Sequence, residues 1–331
     1  MLRLLKSNNP VNYVVVLFFM IALWGYRFAV MPTAVDTGGM QSYFFRFLYE
    51  ASVFQYIYST FAFVLAFGFA CYVAKSNFKY QIVESGYQLP ALFFALLTGS
   101  IINAQRCIPE MVSTLFLSMS VLKMFGMYNK YEDVRSGLDV GLLYGLSLLF
   151  AYKYIVFLPA MIILMMVVKS VTWRDVLSFF ISMMFVLGAA FCLTWLYGDW
   201  HELVASVKDE ASRFVIGEKY NVAKYTFSIP VIFSVVISIL SMFTLKVFRK
   251  TAEMKFYHSM LFLMACFGIY MLSPISSNES IWLMYFPLSY LLTNVVVNAR
   301  RLVIQRIVFY GLLASLILSQ LLQVVYFNSI F

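Results

Sequence analysis

Charge is scarce in this sequence: Asp, Glu, Lys and Arg supply only 12% of its 331 residues. A water-soluble domain carries about a quarter, so this chain cannot cover its own surface with polar groups, and a soluble fold is excluded. Histidine is nearly absent, with His201 and His258 far apart in the chain. Cysteine is limited to Cys71, Cys107, Cys192 and Cys266, all widely scattered. A zinc site needs a local cluster of such ligands and a disulfide framework needs patterned spacing, so neither is expected. Glycine-rich phosphate loops, nucleophile elbows and paired CxxC motifs are also missing. In their place stand 63% hydrophobic residues, 34 Phe and 23 Tyr, with a mean hydropathy of +0.85.

Apolar runs occur at 11–31, 53–74, 88–104, 109–126, 138–152, 154–169, 176–197, 226–246, 256–273, 281–298 and 303–326. Each approaches the roughly 20 residues that a bilayer core requires. The runs are continuous and do not alternate, which excludes a transmembrane β-barrel. The expectation is an all-α, polytopic transmembrane bundle of about eleven spans, a single integral membrane domain over 1–331. The fifth and sixth runs meet at Lys153 and could form one reentrant pair. The first run ends Phe28-Ala29-Val30-Met31-Pro32 without a small-x-small cleavage site, so it reads as an uncleaved span.

The basic residues orient these spans. With the N-terminus in the cytoplasm, sixteen of the 24 Lys and Arg lie inside, with six acids, while eight bases and nine acids lie outside. The net charge of +9 is thereby a topology signal, and no nucleic-acid partner is called for. The sequence predicts a cytoplasmic (inner) membrane protein with its C-terminus in the periplasm. Two outer segments are long. Residues 32–52 open with a Pro- and Gly-containing turn and continue into the aromatic run Tyr43–Tyr49. Residues 198–225 carry Trp200, Leu203, Val204, Val207, Ala211, Phe214 and Val215 at helical spacing. That pattern predicts an amphipathic helix on the outer face, which serves at the least to tether two spans.

Ionisable groups near hydrocarbon are costly, so they mark where chemistry is to be sought. Asp36 follows the first span beside Gly38 and Gly39. Arg106 and Glu110 bracket the turn between the third and fourth spans, and Lys153 sits between Tyr152 and Tyr154. All four fall on the outer side of the predicted topology. A carboxylate there could act as general base toward an acceptor hydroxyl. Arg and Lys could hold a phosphate at headgroup level. Plain structural readings stand beside these: Glu110, following Pro109, as a helix N-terminal acid, Lys153 as an interfacial residue between two tyrosines, and Arg27 and Arg46, also toward the outer boundary, as residues that reach for headgroups.

The stretch Asp139-Val140-Gly141-Leu142-Leu143-Tyr144-Gly145, followed by Tyr152-Lys153-Tyr154 and Phe157-Leu158-Pro159, resembles the layout of the C-type glycosyltransferases. These multispanning enzymes use polyprenyl-phosphate sugars. The resemblance covers roughly residues 11–200. It implies that Asp36 occupies the place of the acidic catalytic residue in the first outer loop, with Glu110 as a second acid. Over most of its length the chain is also similar to a family of polytopic inner-membrane proteins of Bacteroidota. That likeness rests on Lys6-Ser7-Asn8-Asn9-Pro10-Val11-Asn12, the glycine-rich fifth span and Thr172-Trp173-Arg174-Asp175.

Three function classes follow. The first is a glycosyltransferase-like enzyme acting at the outer leaflet. In it Asp36 and Glu110 are catalytic, Arg106 and Lys153 bind the lipid phosphate, and no cofactor or metal is required. The second is a non-catalytic subunit or scaffold of an envelope assembly or secretion machine. The third is a transporter, for which Asn103, Lys123 and Asn294 are the polar residues nearest the midplane.

Overall fold

In the computed structural model the residues described are 11–29, 55–83, 88–102, 105, 108–129, 134–168, 172–197, 200–205, 207–208, 229–244, 251–273, 276, 278–299 and 302–330. Among them the regular structure is entirely helical. Eleven α-helices fall on the eleven apolar runs: α1 Val11–Ala29, α2 Gln55–Tyr80, α3 Leu89–Thr98, α4 Pro109–Gly126, α5 Val134–Phe150, α6 Leu158–Val168, α7 Trp173–Leu196, α8 Ile229–Thr244, α9 Thr251–Leu272, α10 Trp282–Asn298 and α11 Leu302–Ile330. Four segments are long and apolar enough to cross a membrane: Ser59–Tyr80, Trp173–Leu196, Ala252–Leu272 and Val303–Gln323. Of the predicted amphipathic helix, residues 200–205 and 207–208 are described and helical; Leu203 is buried there, while Val204 and Val207 are exposed.

Local chemistry explains several helix starts. Proline stands in the first turn of both α3 and α4, where its missing N–H removes no helical hydrogen bond. At α7 the Thr172 backbone N–H and hydroxyl both donate to Asp175 Oδ2, at 3.0 and 2.8 Å. Thr172-Trp173-Arg174-Asp175 is therefore a helix-start signal, with an acid three residues after the cap.

The core is built around α3 and α10. All ten residues of α3 are buried, as are most of those of α10. Phe94 of α3 touches Phe69 of α2 and Trp282 of α10, with ring centroids 5.0 and 6.4 Å apart. Helices α1, α2, α4, α8, α9 and α11 pack around this centre. On its flank α5 lies tightly against α7. Gly137, Gly141 and Gly145, four residues apart, share one stripe of α5 and meet Ser178, Ser182 and Val186 of α7. A side chain on Gly141 would run into the Phe179 carbonyl and the Ser182 hydroxyl. Small residues at this interval let two helices approach by backbone.

The matched order along α5 and α7 makes them parallel. The far side of α7 presents Trp173, Leu177, Ile181, Met184 and Phe185 outward. A stripe of that size suits hydrocarbon better than water. Lys79 and Lys123 close α2 and α4, while Arg174, Lys255 and Arg306 lie near the starts of α7, α9 and α11. These helix termini gather at one end of the bundle, where Phe125 packs on Phe256 and Lys255 covers the Tyr128 ring. The opposite end collects the polar clusters.

Candidate functional site

Glu110 enters this opposite end from the first turn of α4, immediately after Pro109. Lys153 enters from the 3-10 segment Tyr152–Phe157 that joins α5 to α6. Their side chains meet: Lys153 Nζ donates to Glu110 Oε1 at 2.9 Å, with 4% and 7% of the two side chains exposed. The pair is thus sealed inside the protein. Lys153 keeps its aromatic neighbours and is buried among them.

Those aromatics form the wall. Tyr154 stands edge-on to Phe157 and Tyr270, and Phe157 to Phe267 and Tyr270, with centroids between 4.9 and 6.1 Å. Beneath them hydroxyls bind the helices together. Tyr154 shares a hydrogen bond with Thr114 at 3.1 Å, and Tyr144 donates to the Tyr154 carbonyl at 2.9 Å. Ser113 reaches both the hydroxyl and the carbonyl of Ser147. In such a low-dielectric site a charge pair is held strongly only because it is paired.

Of the four residues singled out by sequence, Glu110 and Lys153 are therefore brought together. Asp36 and Arg106 lie outside the described residues. Lys123 binds Asp139 at 3.1 Å in a half-exposed pair at the lysine-rich end, away from this site. Among the described residues Cys71, Cys192 and Cys266 are free thiols.

A second polar cluster, at the end of α3, was not anticipated. Helix α3 stops at Thr98, short of the run predicted to 104, and its carbonyl end is met by side chains from α11. Gln323 accepts from the Ile102 N–H at 2.8 Å and donates to the Ser100 carbonyl at 2.8 Å. Ser319 donates to the same carbonyl, and Gln320 donates to the carbonyls of Gly99 and Leu23 at 2.8 and 3.0 Å. Ser100 pairs with Tyr285 of α10 at 2.8 Å. The sequence signal for this cradle was Ser319, Gln320 and Gln323 within an otherwise apolar last helix.

The profile of the family described as "Family of unknown function (DUF6427)" matches residues 1–327. The chain belongs to that family. No curated protein and no solved structure matches it. For a DUF6427 member the argument about activity consequently rests on residues, and the buried Glu110–Lys153 pair is the group in this bundle that most needs a reason.

Proposed function

We propose that this DUF6427 protein is an inner-membrane protein of about eleven spans that transfers a sugar from a polyprenyl-phosphate donor at the outer leaflet. The observation that supports the reading is the convergence of Glu110 and Lys153 at 2.9 Å, from separate helices, at the end away from the lysine-rich termini. Paired charges buried in a membrane protein are a functional site by default, because an apolar pair would satisfy the fold as well. An ammonium has three donors, so Lys153 can hold Glu110 and a phosphate oxygen together. Arg106 would grip the same phosphate. Asp36 would take the proton of an acceptor hydroxyl as that oxygen bonds to the anomeric carbon. The bond from that carbon to the phosphate oxygen breaks, and the electron pair leaves with the lipid phosphate. Glu110 would position Lys153. Membrane lipids are partners on this reading; the lysine-rich end and the N-terminus face the cytoplasm, and the C-terminus faces the periplasm.

A second reading is favoured by the sealing of the pair: a non-catalytic subunit of an envelope assembly, in which Glu110–Lys153 only clamps α4 to the α5–α6 connection. One variant separates the two. Glu110→Leu with Lys153→Met replaces the pair by apolar groups of similar bulk. If the protein folds and the host's lipid-linked and surface glycans are lost, the pair acts in transfer. If folding and glycans both persist, the transferase reading is wrong.

A further inference from the structure

Along α4 the half-buried positions Val112, Phe116, Met119, Lys123 and Gly126 recur at intervals of three and four, so they form one lateral stripe. Along α5 the same spacing joins Asp139 to Leu142, Leu143 and Leu146, three leucines that are also only partly covered. The two stripes are neighbours: Phe116 stacks on Phe150 with ring centroids 5.8 Å apart, and Lys123 Nζ donates to Asp139 at 3.1 Å. An apolar strip on two adjacent helices therefore ends, toward the lysine-rich end, in an ion pair whose side chains are 37% and 51% exposed.

Two phenols from α2 complete this corner. A Cβ on Gly126 would lie 3.2 Å from the Tyr80 hydroxyl, so that group rests against α4 one turn beyond Lys123. The hydroxyls of Tyr72 and Tyr80 are both within electrostatic reach of the Lys123 ammonium. Among the described residues neither hydroxyl has a hydrogen-bond partner. Lys79 stands over the Tyr80 ring at 5.4 Å. Charged groups on the lateral surface of a membrane bundle need polar cover, because hydrocarbon supplies none. A pair that only fastened α4 to α5 would not explain two phenols turned toward the same ammonium.

We propose that this corner binds a phospholipid with a phosphoethanolamine head, its acyl chain laid along the Phe116–Met119 strip. The phosphate takes hydrogen bonds from the Tyr72 and Tyr80 hydroxyls and from Lys123, which spends one of its three donors on Asp139. The lipid ammonium donates to Asp139, whose carboxylate accepts more than one donor. Asp139 decides the head: a purely anionic glycerol head would meet a like charge there, whereas a zwitterion matches the lysine and the aspartate group for group. The inference needs the membrane placement but not the transferase reading, whose residues Glu110 and Lys153 lie at the opposite end.

The test is native mass spectrometry of the full chain, stripped of lipid in detergent and titrated with dioleoyl phosphatidylethanolamine or, separately, dioleoyl phosphatidylglycerol. The expected result is saturable binding of the ethanolamine lipid, with the glycerol lipid weaker by about five-fold or more, the worth of one net hydrogen bond. Asp139→Asn, a conservative change at an exposed position, should cut the affinity for the ethanolamine lipid by a similar factor without weakening the glycerol lipid. Tyr72→Phe combined with Tyr80→Phe should weaken both lipids. Glycerophosphoethanolamine, the same head without chains, should not compete. Equal affinity of the parent for the two lipids, or an ethanolamine-lipid affinity untouched by Asp139→Asn, overturns the proposal. So does displacement by the chainless head, or a double phenylalanine variant that binds as the parent does.

Discussion

Lys153 and Glu110 form an ion pair at 2.9 Å that has almost no access to water, held between the first turn of α4 and the connection from α5 to α6. Removing one member strands the other charge in a dry site. Lys153→Met or Glu110→Leu alone should therefore destabilise the protein by about 3–5 kcal/mol. The double replacement should recover most of that loss. Thermal unfolding followed by size-exclusion chromatography in detergent reads all three, and two single variants as stable as the parent would refute the buried-pair account.

The glycines of α5 and α7 differ in what surrounds them. Gly141 faces the Phe179 carbonyl and the Ser182 hydroxyl, whereas Gly188, exposed on α7, has nothing within 4 Å of where a Cβ would stand. Gly141→Ala must push the two helices apart and should cost about 1–3 kcal/mol, the usual range for overpacking. Gly188→Ala should be neutral or stabilise by up to about 1 kcal/mol through helix propensity. The same thermal assay, run on both variants in parallel, checks the contrast; equal effects would mean that α5 and α7 do not meet as described.

Much of this architecture was legible beforehand, because long continuous apolar runs favour helices, which satisfy their own backbone hydrogen bonds. Among the described residues, eleven helices lie where hydropathy alone puts them. The charged pair was legible one residue at a time, since Glu110 and Lys153 each stand out against apolar surroundings. Their contact was not, because it joins residues 43 apart through the packing of three helices. The end of α3 was missed for a different reason. Ile101 and Ile102 continue the apolar run beyond Thr98, and only tertiary partners on α11, more than 200 residues away, make it favourable to stop early. The α5–α7 contact left a trace in the sequence, three glycines at intervals of four, but spacing does not name the helix they face.

The α7 start offers a local test. Asp175 accepts both from the Thr172 N–H and from its hydroxyl, and it is buried. Asp175→Ala should cost about 0.5–2 kcal/mol, the range for losing a helix cap. Asp175→Asn keeps an acceptor and should lose less. An ordering with Asn worse than Ala would show that burial of the side chain, and not the cap, sets the effect.

The last helix provides the sharpest test of the break in α3. Gln323 is fully engaged: its oxygen takes the Ile102 N–H, while its nitrogen serves the Ser100 carbonyl and both the carbonyl and hydroxyl of Ser319. Leucine at this position has similar bulk but cannot bond, so it orphans a buried N–H and weakens the hold on a carbonyl. Each unsatisfied group costs about 1–3 kcal/mol, which predicts a loss of several kcal/mol for Gln323→Leu. Gln323→Glu keeps the acceptor and, while its carboxyl is protonated at low pH, one O–H donor, so it should then fall between the parent and the leucine variant; ionised at high pH it has no donor and should fall well below that. Hydrogen exchange at the Ile102 amide gives the local readout. It should accelerate in Gln323→Leu while amides in the middle of α10 stay protected. Uniform acceleration across the bundle would mean instead that Gln323 supports the whole core and not the end of α3 in particular.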